Sequence, residues 1–242
     1  MKRFARQIRL VLVLGILSTL LGGCLYPNER RGENQIPHET YVEMTQTAIE
    51  KFQADTGILP IVTRDVNTPF FEKYEIDFNK LTPKYLPDAP ANAFEKGGLF
   101  KYVLIDVETK PLVKLIDLGT VSTVREVQQA VSNYIEFHQE LPIDKDLGNG
   151  YYTIKLDKIS LASRHKQVES FYTHQLNSYI MNAKGEVGID YASDLATLIR
   201  ENKLEIPKDT DPRYVVARNS FFVPIKSFPY KMENGEPVLM KL

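Results

Sequence analysis

Tryptophan is absent from this chain of 242 residues, and cysteine occurs once, at Cys24. A single cysteine leaves no intrachain disulfide, so the fold must hold by packing alone. The four histidines, His38, His138, His165 and His174, are scattered and form no His-x-x-x-His pair. Zinc wants convergent nitrogen and sulfur ligands, so no metal site is expected. No serine sits in a Gly-x-Ser-x-Gly setting, and neither Gly-x-Gly-x-x-Gly nor a P-loop occurs. Carboxylates are plentiful, but nothing singles out a hydrolytic pair. The reading is therefore of a protein that is not an enzyme, with no catalytic residue and no cofactor. A long apolar run is also missing. Leu10 to Leu25 is 16 residues, interrupted by Ser18, Thr19 and three glycines, whereas a bilayer span takes about 20 apolar residues.

What the N-terminus does contain is ordered. Lys2, Arg3, Arg6 and Arg9 precede an apolar stretch from Leu10 to Leu21, and Gly22, Gly23 and Cys24 follow. A charged start, a short apolar segment and small residues make a secretory signal. Leu21-Gly22-Gly23-Cys24 resembles the lipobox of bacterial lipoproteins. That resemblance implies recognition of Leu21, Gly22 and Gly23 by a signal peptidase, cleavage before Cys24, and a diacylglyceryl thioether on Cys24. The expected location is the extracytoplasmic face of a cell membrane. An uncleaved anchor and an unlipidated secreted form are the alternatives. The first is marginal in length, and the second leaves a lone thiol in an oxidising compartment. Two or more acyl chains hold where one binds reversibly.

With residues 1–23 set aside as signal peptide, four of the 30 basic residues and none of the 31 acidic ones are lost, leaving 26 against 31 and a formal charge of −5. Bulk attraction to nucleic acid or anionic lipid is disfavoured. Residues 24–39 read as a flexible tether, since Pro27, Asn28, Glu29, Arg30, Arg31, Gly32 and Pro37 offer little apolar surface to offset ordering entropy.

Beyond residue 40 the pattern occurs twice. Val42, Thr45, Ile49 and Phe52 recur at helical spacing, Gly57 suits a left-handed cap, and Leu59-Pro60-Ile61 follows. At an offset of 82, Val124, Val127, Val131 and Tyr134 repeat the stripe, Gln46 becomes Gln128, and Leu141-Pro142-Ile143 repeats the stop. Tyr74–Phe78 and Tyr152–Leu156 alternate like strands. Leu99–Ile105 with Leu112–Leu118, and Leu176–Met181 with Glu186–Tyr191, read as hairpins at matching places. The expected class is α+β, with a first helix-on-sheet module over 40–119 and a second over 120–242. The second carries a C-terminal extension: a helix capped by Ser193-Asp194, a strand at Phe221–Ile225, and a hairpin from Tyr230 to Met240.

Leu81-Thr82-Pro83-Lys84-Tyr85-Leu86-Pro87 and Gly97-Gly98-Leu99-Phe100-Lys101-Tyr102, after a long helix, resemble the globular part of type II secretion pseudopilins. The resemblance implies a helix lying along a small antiparallel sheet. It does not extend to the filament function, because a lipobox stands in place of the prepilin site and no hydrophobic stem helix precedes the module. The whole chain is also similar to membrane lipoproteins of spore-forming Gram-positive bacteria, the YphF type, which implies location and no mechanism.

Two local features resemble sites of chemistry. Asp144-Lys145-Asp146-Leu147-Gly148-Asn149-Gly150 begins like a calcium loop, but its sixth position is Asn149 and its twelfth Lys155, so it reads as a turn. Arg164-His165-Lys166 reads as a solvated loop. The adjacent rings Phe70-Phe71, Tyr151-Tyr152, Phe171-Tyr172 and Phe221-Phe222 are more informative. Neighbours on a strand face opposite ways, so one ring of each pair enters the core and the other faces solvent, a second module, or a glycan or peptide. The expected function is a binding or scaffolding lipoprotein for an envelope protein or cell-wall polymer. A solute-binding component of a transporter is the alternative, and an envelope hydrolase a third.

Overall fold

The computed structural model describes residues 37–161 and 167–241. Leu21, Gly22, Gly23 and Cys24, the tether up to residue 36, and Arg164-His165-Lys166 lie outside the described residues. Residues His38–Leu242 form one compact unit, mixed α and β, whose sheets pair chiefly antiparallel.

The first apolar stripe becomes α1 (His38–Thr56), which buries Val42, Thr45, Ala48, Ile49 and Phe52. Gly57 ends it in the left-handed region, φ 73°, donating its N–H to the Gln53 carbonyl at 2.8 Å. The expected tether reached residue 39, but α1 begins at His38, whose ring packs on Phe100 and Phe222 at 4.7 and 5.6 Å. Aromatic burial there starts the helix earlier than polarity suggests. Next come β1 (Phe100–Ile105) and β2 (Leu112–Asp117), an antiparallel pair with Phe100 opposite Asp117 and Ile105 opposite Leu112. The expected strand at Tyr74–Phe78 is shorter. Ile76 bridges Ile61 and Glu75 bridges Val103, but the Asp77 side chain then accepts the Asn79 N–H and starts a one-turn helix, α2 (Phe78–Leu81).

Asp117 also caps α3 (Leu118–His138), accepting the N–H groups of Gly119 and Thr120. Its buried face is Val124, Val127, Ala130, Val131 and Tyr134, the stripe read from the sequence. A four-stranded sheet follows in the order β3 (Ile143–Gly148), β4 (Tyr151–Ile154), β7 (Tyr179–Asn182), β8 (Val187–Ile189). The expected strand Leu176–Met181 breaks at Ser178, because Leu176–Asn177 (β6) pairs with Val168–Glu169 (β5) in a separate hairpin.

The contacts of the two halves correspond residue by residue. Gln46 Nε2 donates to the Pro111 carbonyl at 3.0 Å, and Gln46 Oε1 accepts the Val113 N–H at 2.9 Å. Gln128 Nε2 donates to the Gly185 carbonyl at 2.9 Å, and its Oε1 accepts the Val187 N–H at 2.7 Å. Each glutamine thus ties its helix to the outer strand of its sheet and satisfies backbone groups that an edge would leave open. The prolines correspond as well. Asp77 donates to the Pro60 carbonyl at 2.8 Å and Lys155 to the Pro142 carbonyl at 2.7 Å, while Ile61 bridges Ile76 as Ile143 pairs Ile154.

The C-terminal region contains α4 (Ala192–Glu201), α5 (Pro212–Arg218) and a hairpin of β9 (Tyr230–Glu233) and β10 (Glu236–Leu239). Two expectations change here. Ser193-Asp194 do not cap α4. Asp194 lies in its first turn, buried, accepting from Thr173 Oγ1 and Asn177 Nδ2 at 2.5 Å each, while Asp190 Oδ1 takes the Ala192 N–H. Phe221–Ile225 was assigned to the second module, yet it runs beside β2 of the first. Leu115 donates to the Phe221 carbonyl at 2.8 Å and accepts from Val223 at 3.2 Å. A few residues on, Ile189 of β8 donates to the Lys226 carbonyl at 2.8 Å. Leu115 and Ile189 each lie two residues past the valine held by a glutamine, so one strap, Phe221–Phe228, pairs with the same position of both sheets. Hydrophobic burial explains the docking. Val103, Ile105 and Ile116 project from the face of β1–β2 opposite α1 and are covered by Phe71, Ala217, Val223 and Ile225.

Candidate functional site

The strap is fixed by polar contacts before it is a wall of anything. Lys114, inside β2 and only 6% exposed, donates from Nζ to the carbonyls of Arg218 and Ser220 at 3.0 and 2.5 Å. These are the open carbonyls at the end of α5, where a cation meets the negative end of the helix. Arg218 in turn forms two hydrogen bonds to Asp106, at 2.5 and 2.9 Å.

Burial pushes the Lys114 ammonium down from 10.5 to about 8, with Asp106 acting weakly the other way. The unfolded chain keeps this proton up to its ordinary pKa, so between pH 8 and 10.5 the unfolded state binds more protons and this group adds stability as pH rises. Burial raises the hydroxyls of Tyr102 and Tyr191, which act oppositely above pH 10. We therefore expect the urea midpoint of the wild type to rise relative to Lys114→Met between pH 8 and 9.5, by about 1–2 kcal/mol in stability. Parallel pH profiles of the two proteins would rule this out.

On one side of the strap lies a cleft of about 330 Å³ lined by Pro69, Phe70, Phe71, Arg213, Pro224 and Phe228, among others. Phe70, Phe71 and Tyr214 form an edge-to-face group, with ring centroids 4.6 to 5.6 Å apart. The Arg213 guanidinium sits over Phe71 and Tyr214 at 5.7 and 6.0 Å. It is anchored by Asp211 at 2.7 Å and by the Ser227 carbonyl at 2.9 Å. Phe71 is buried while Phe70 is 41% exposed.

Glu72 lines both this cleft and a second one of about 270 Å³, with Arg64, Glu75, Lys101 and Arg125. Lys226 of the strap pairs with Glu72 at 2.7 Å. Lys101 pairs with Glu75 at 2.9 Å, and Arg64 pairs with the same carboxylate. Burial raises the Glu75 pKa, but the hydrogen bonds from Lys101 and Arg64 outweigh it and leave the carboxyl below its ordinary value. Arg125 enters from α3, with no ion pair among the described residues.

The other sequence candidates fall as follows. Tyr151 and Tyr152 split into a buried and a half-buried ring, and Phe221 is exposed beside a half-buried Phe222. Phe171 stacks on Phe222 at 4.5 Å and 25°. All four ring pairs thus belong to the strap or touch it, Tyr151 through Phe228 and Phe71 through Val223 and Ile225. Burial holds His38 below its ordinary pKa beside Asn92. His138 closes α3 against Tyr134 at 4.3 Å, and His174 is exposed beside Glu169. Most of the turn expected over 144–150 is strand: Asp144 to Gly148 lie in β3, and the turn is confined to its end, where Gly148, Asn149 and Gly150 take positive φ and Asn149 Nδ2 donates to the Leu239 carbonyl. Among the described residues no group of three or more His, Cys, Asp or Glu is placed to hold a metal ion, and no helix is long and apolar enough to cross a membrane.

Residues 38–117, from the first residue of α1 to the last of β2, match the YphF family N-terminal domain. The chain is similar to YphF-type proteins over that stretch. No curated protein and no solved structure matches it.

Proposed function

We propose that this protein is a non-catalytic, lipid-anchored envelope protein that binds a protein or cell-wall polymer outside the membrane. Its single folded body from His38 onward, two helix-on-sheet motifs linked by the strap, does the binding, and the residues between Cys24 and His38 tether it to the acylated sulfur. The observation that carries the binding reading is the pair of clefts that share Glu72, one lined by the exposed Phe70 ring and by prolines, the other by Arg125. Such a mixture of apolar platform and convergent polar groups is what ligand sites offer. The lipobox residues Leu21, Gly22, Gly23 and Cys24 support the anchor. A transporter's solute-binding lobe is less well supported, because such lobes alternate helices with parallel strands.

Two experiments test the proposal. Cys24→Ala should move the protein out of the membrane fraction or leave the precursor uncleaved; unchanged migration and unchanged retention would reject the anchor. Cross-linking in intact envelopes at native expression should recover the protein with a protein or polymer adduct. Recovery of the bait alone would reject the binding role.

A further inference from the structure

Five cations, Arg64, Lys101, Arg125, Arg213 and Lys226, and two carboxylates, Glu72 and Glu75, line the two clefts that share Glu72, and Arg213 is neutralised by Asp211. Glu75 already serves two of the cations and Glu72 a third. The local excess is positive although the chain after Cys24 is acidic by sequence. In the first of these clefts Phe70 presents a ring, edge-packed on Tyr214 at 4.6 Å and backed by the buried Phe71. A ring held this way is a stacking platform. Its electron-rich face suits the C–H face of a pyranose, and its position costs little entropy to maintain.

We infer that the two clefts, which share Glu72, form one site for an anionic saccharide: a sugar ring on Phe70, and its carboxylate or phosphate on Arg125 with Arg64 and Lys101. This deepens the proposed envelope-binding role and rests on it. An acidic peptide is the competing ligand, and the backbone disfavours it. Peptides commonly bind by adding a strand to a sheet edge. Here the outer edges of β2 and β8 are occupied at Val113 and Val187 by the two glutamines and at Leu115 and Ile189 by the strap. The clefts themselves offer rings and cations, and these match a charged sugar. Binding carried by those cations weakens as salt rises.

The test uses the full chain in detergent micelles, titrated calorimetrically with four probes: an oligogalacturonate, a glucosylated poly(glycerol phosphate), neutral dextran and poly-glutamate. One of the two charged saccharides should bind at least about tenfold tighter than dextran and poly-glutamate, and which one it is identifies carboxylate or phosphate as the anion. Phe70→Ala and Arg125→Gln should each weaken that binding by about tenfold, Phe70→Tyr should restore it, and Phe137→Ala, an exposed ring elsewhere on α3, should leave it unchanged. Both altered side chains are exposed, so unchanged thermal midpoints serve as the folding control. Equal binding of dextran and the charged saccharides, equal or tighter binding of poly-glutamate, or indifference to both substitutions would overturn the inference. Recovery of a protein adduct from cross-linked envelopes by a chain with no saccharide affinity would sink this site and leave the broader role standing.

Discussion

Replacing Gly188 with valine should lift the strap off β8 and cost about 2–4 kcal/mol of stability. A Cβ at this position would lie 2.7 Å from the Phe228 ring and 2.9 Å from the Lys226 carbonyl oxygen. The ring can turn, although it also packs on Tyr151 at 4.9 Å. The carbonyl is backbone, accepts the Ile189 N–H, and belongs to a residue held at φ 56°. Relief therefore means moving the strap, which breaks that hydrogen bond and displaces Lys226 from Glu72. Alanine should act in the same direction and less strongly. Urea unfolding followed by circular dichroism measures the loss. An unchanged midpoint for Gly188→Val would mean that the strap is not seated on β8 as described.

Gln46→Ala and Gln128→Ala should each cost about 2–3 kcal/mol, and by similar amounts. Each change removes one donor and one acceptor from a strand edge. Gln46→Ala leaves the Val113 N–H and Pro111 carbonyl without the glutamine, and Gln128→Ala does the same to Val187 and Gly185. The pairs share no partner, so the double variant should show the sum of the single losses within about 0.5 kcal/mol. Hydrogen exchange offers a local readout, with faster exchange of the Val113 amide in the first variant and the Val187 amide in the second. A large loss from one glutamine and none from the other would contradict their structural equivalence.

How much of this could be read from sequence depends on the range of the contacts. The apolar stripes of α1 and α3 and the helix end at Gly57 are local, and their spacing alone announced them. The correspondence of Gln46 with Gln128 was visible as an offset, but the sequence does not say that an amide bridges a helix to a strand edge. The strap was misassigned because its partner in the first sheet lies more than a hundred residues away. Its proline suggested an edge strand without saying whose edge. Lys114 inside Leu112–Asp117 was a readable signal, since a lysine in an otherwise apolar strand must find acceptors. The clefts around Glu72 were missed for the same reason of distance. Glu72 and Lys226 are 154 positions apart, and only the ring pair Phe70-Phe71 marked the place. His38 was lost to composition: it follows a polar stretch, and nothing local tells that Phe100 and Phe222 await its ring.

The functional account depends on where the folded body works, and that depends on one sulfur atom. Mass spectrometry of the N-terminal peptide from native membranes measures it directly. The account predicts that the peptide begins at Cys24 and carries the mass of a diacylglyceryl group on sulfur. A peptide that retains residues 1–23, or one with an unmodified thiol at Cys24, would contradict it.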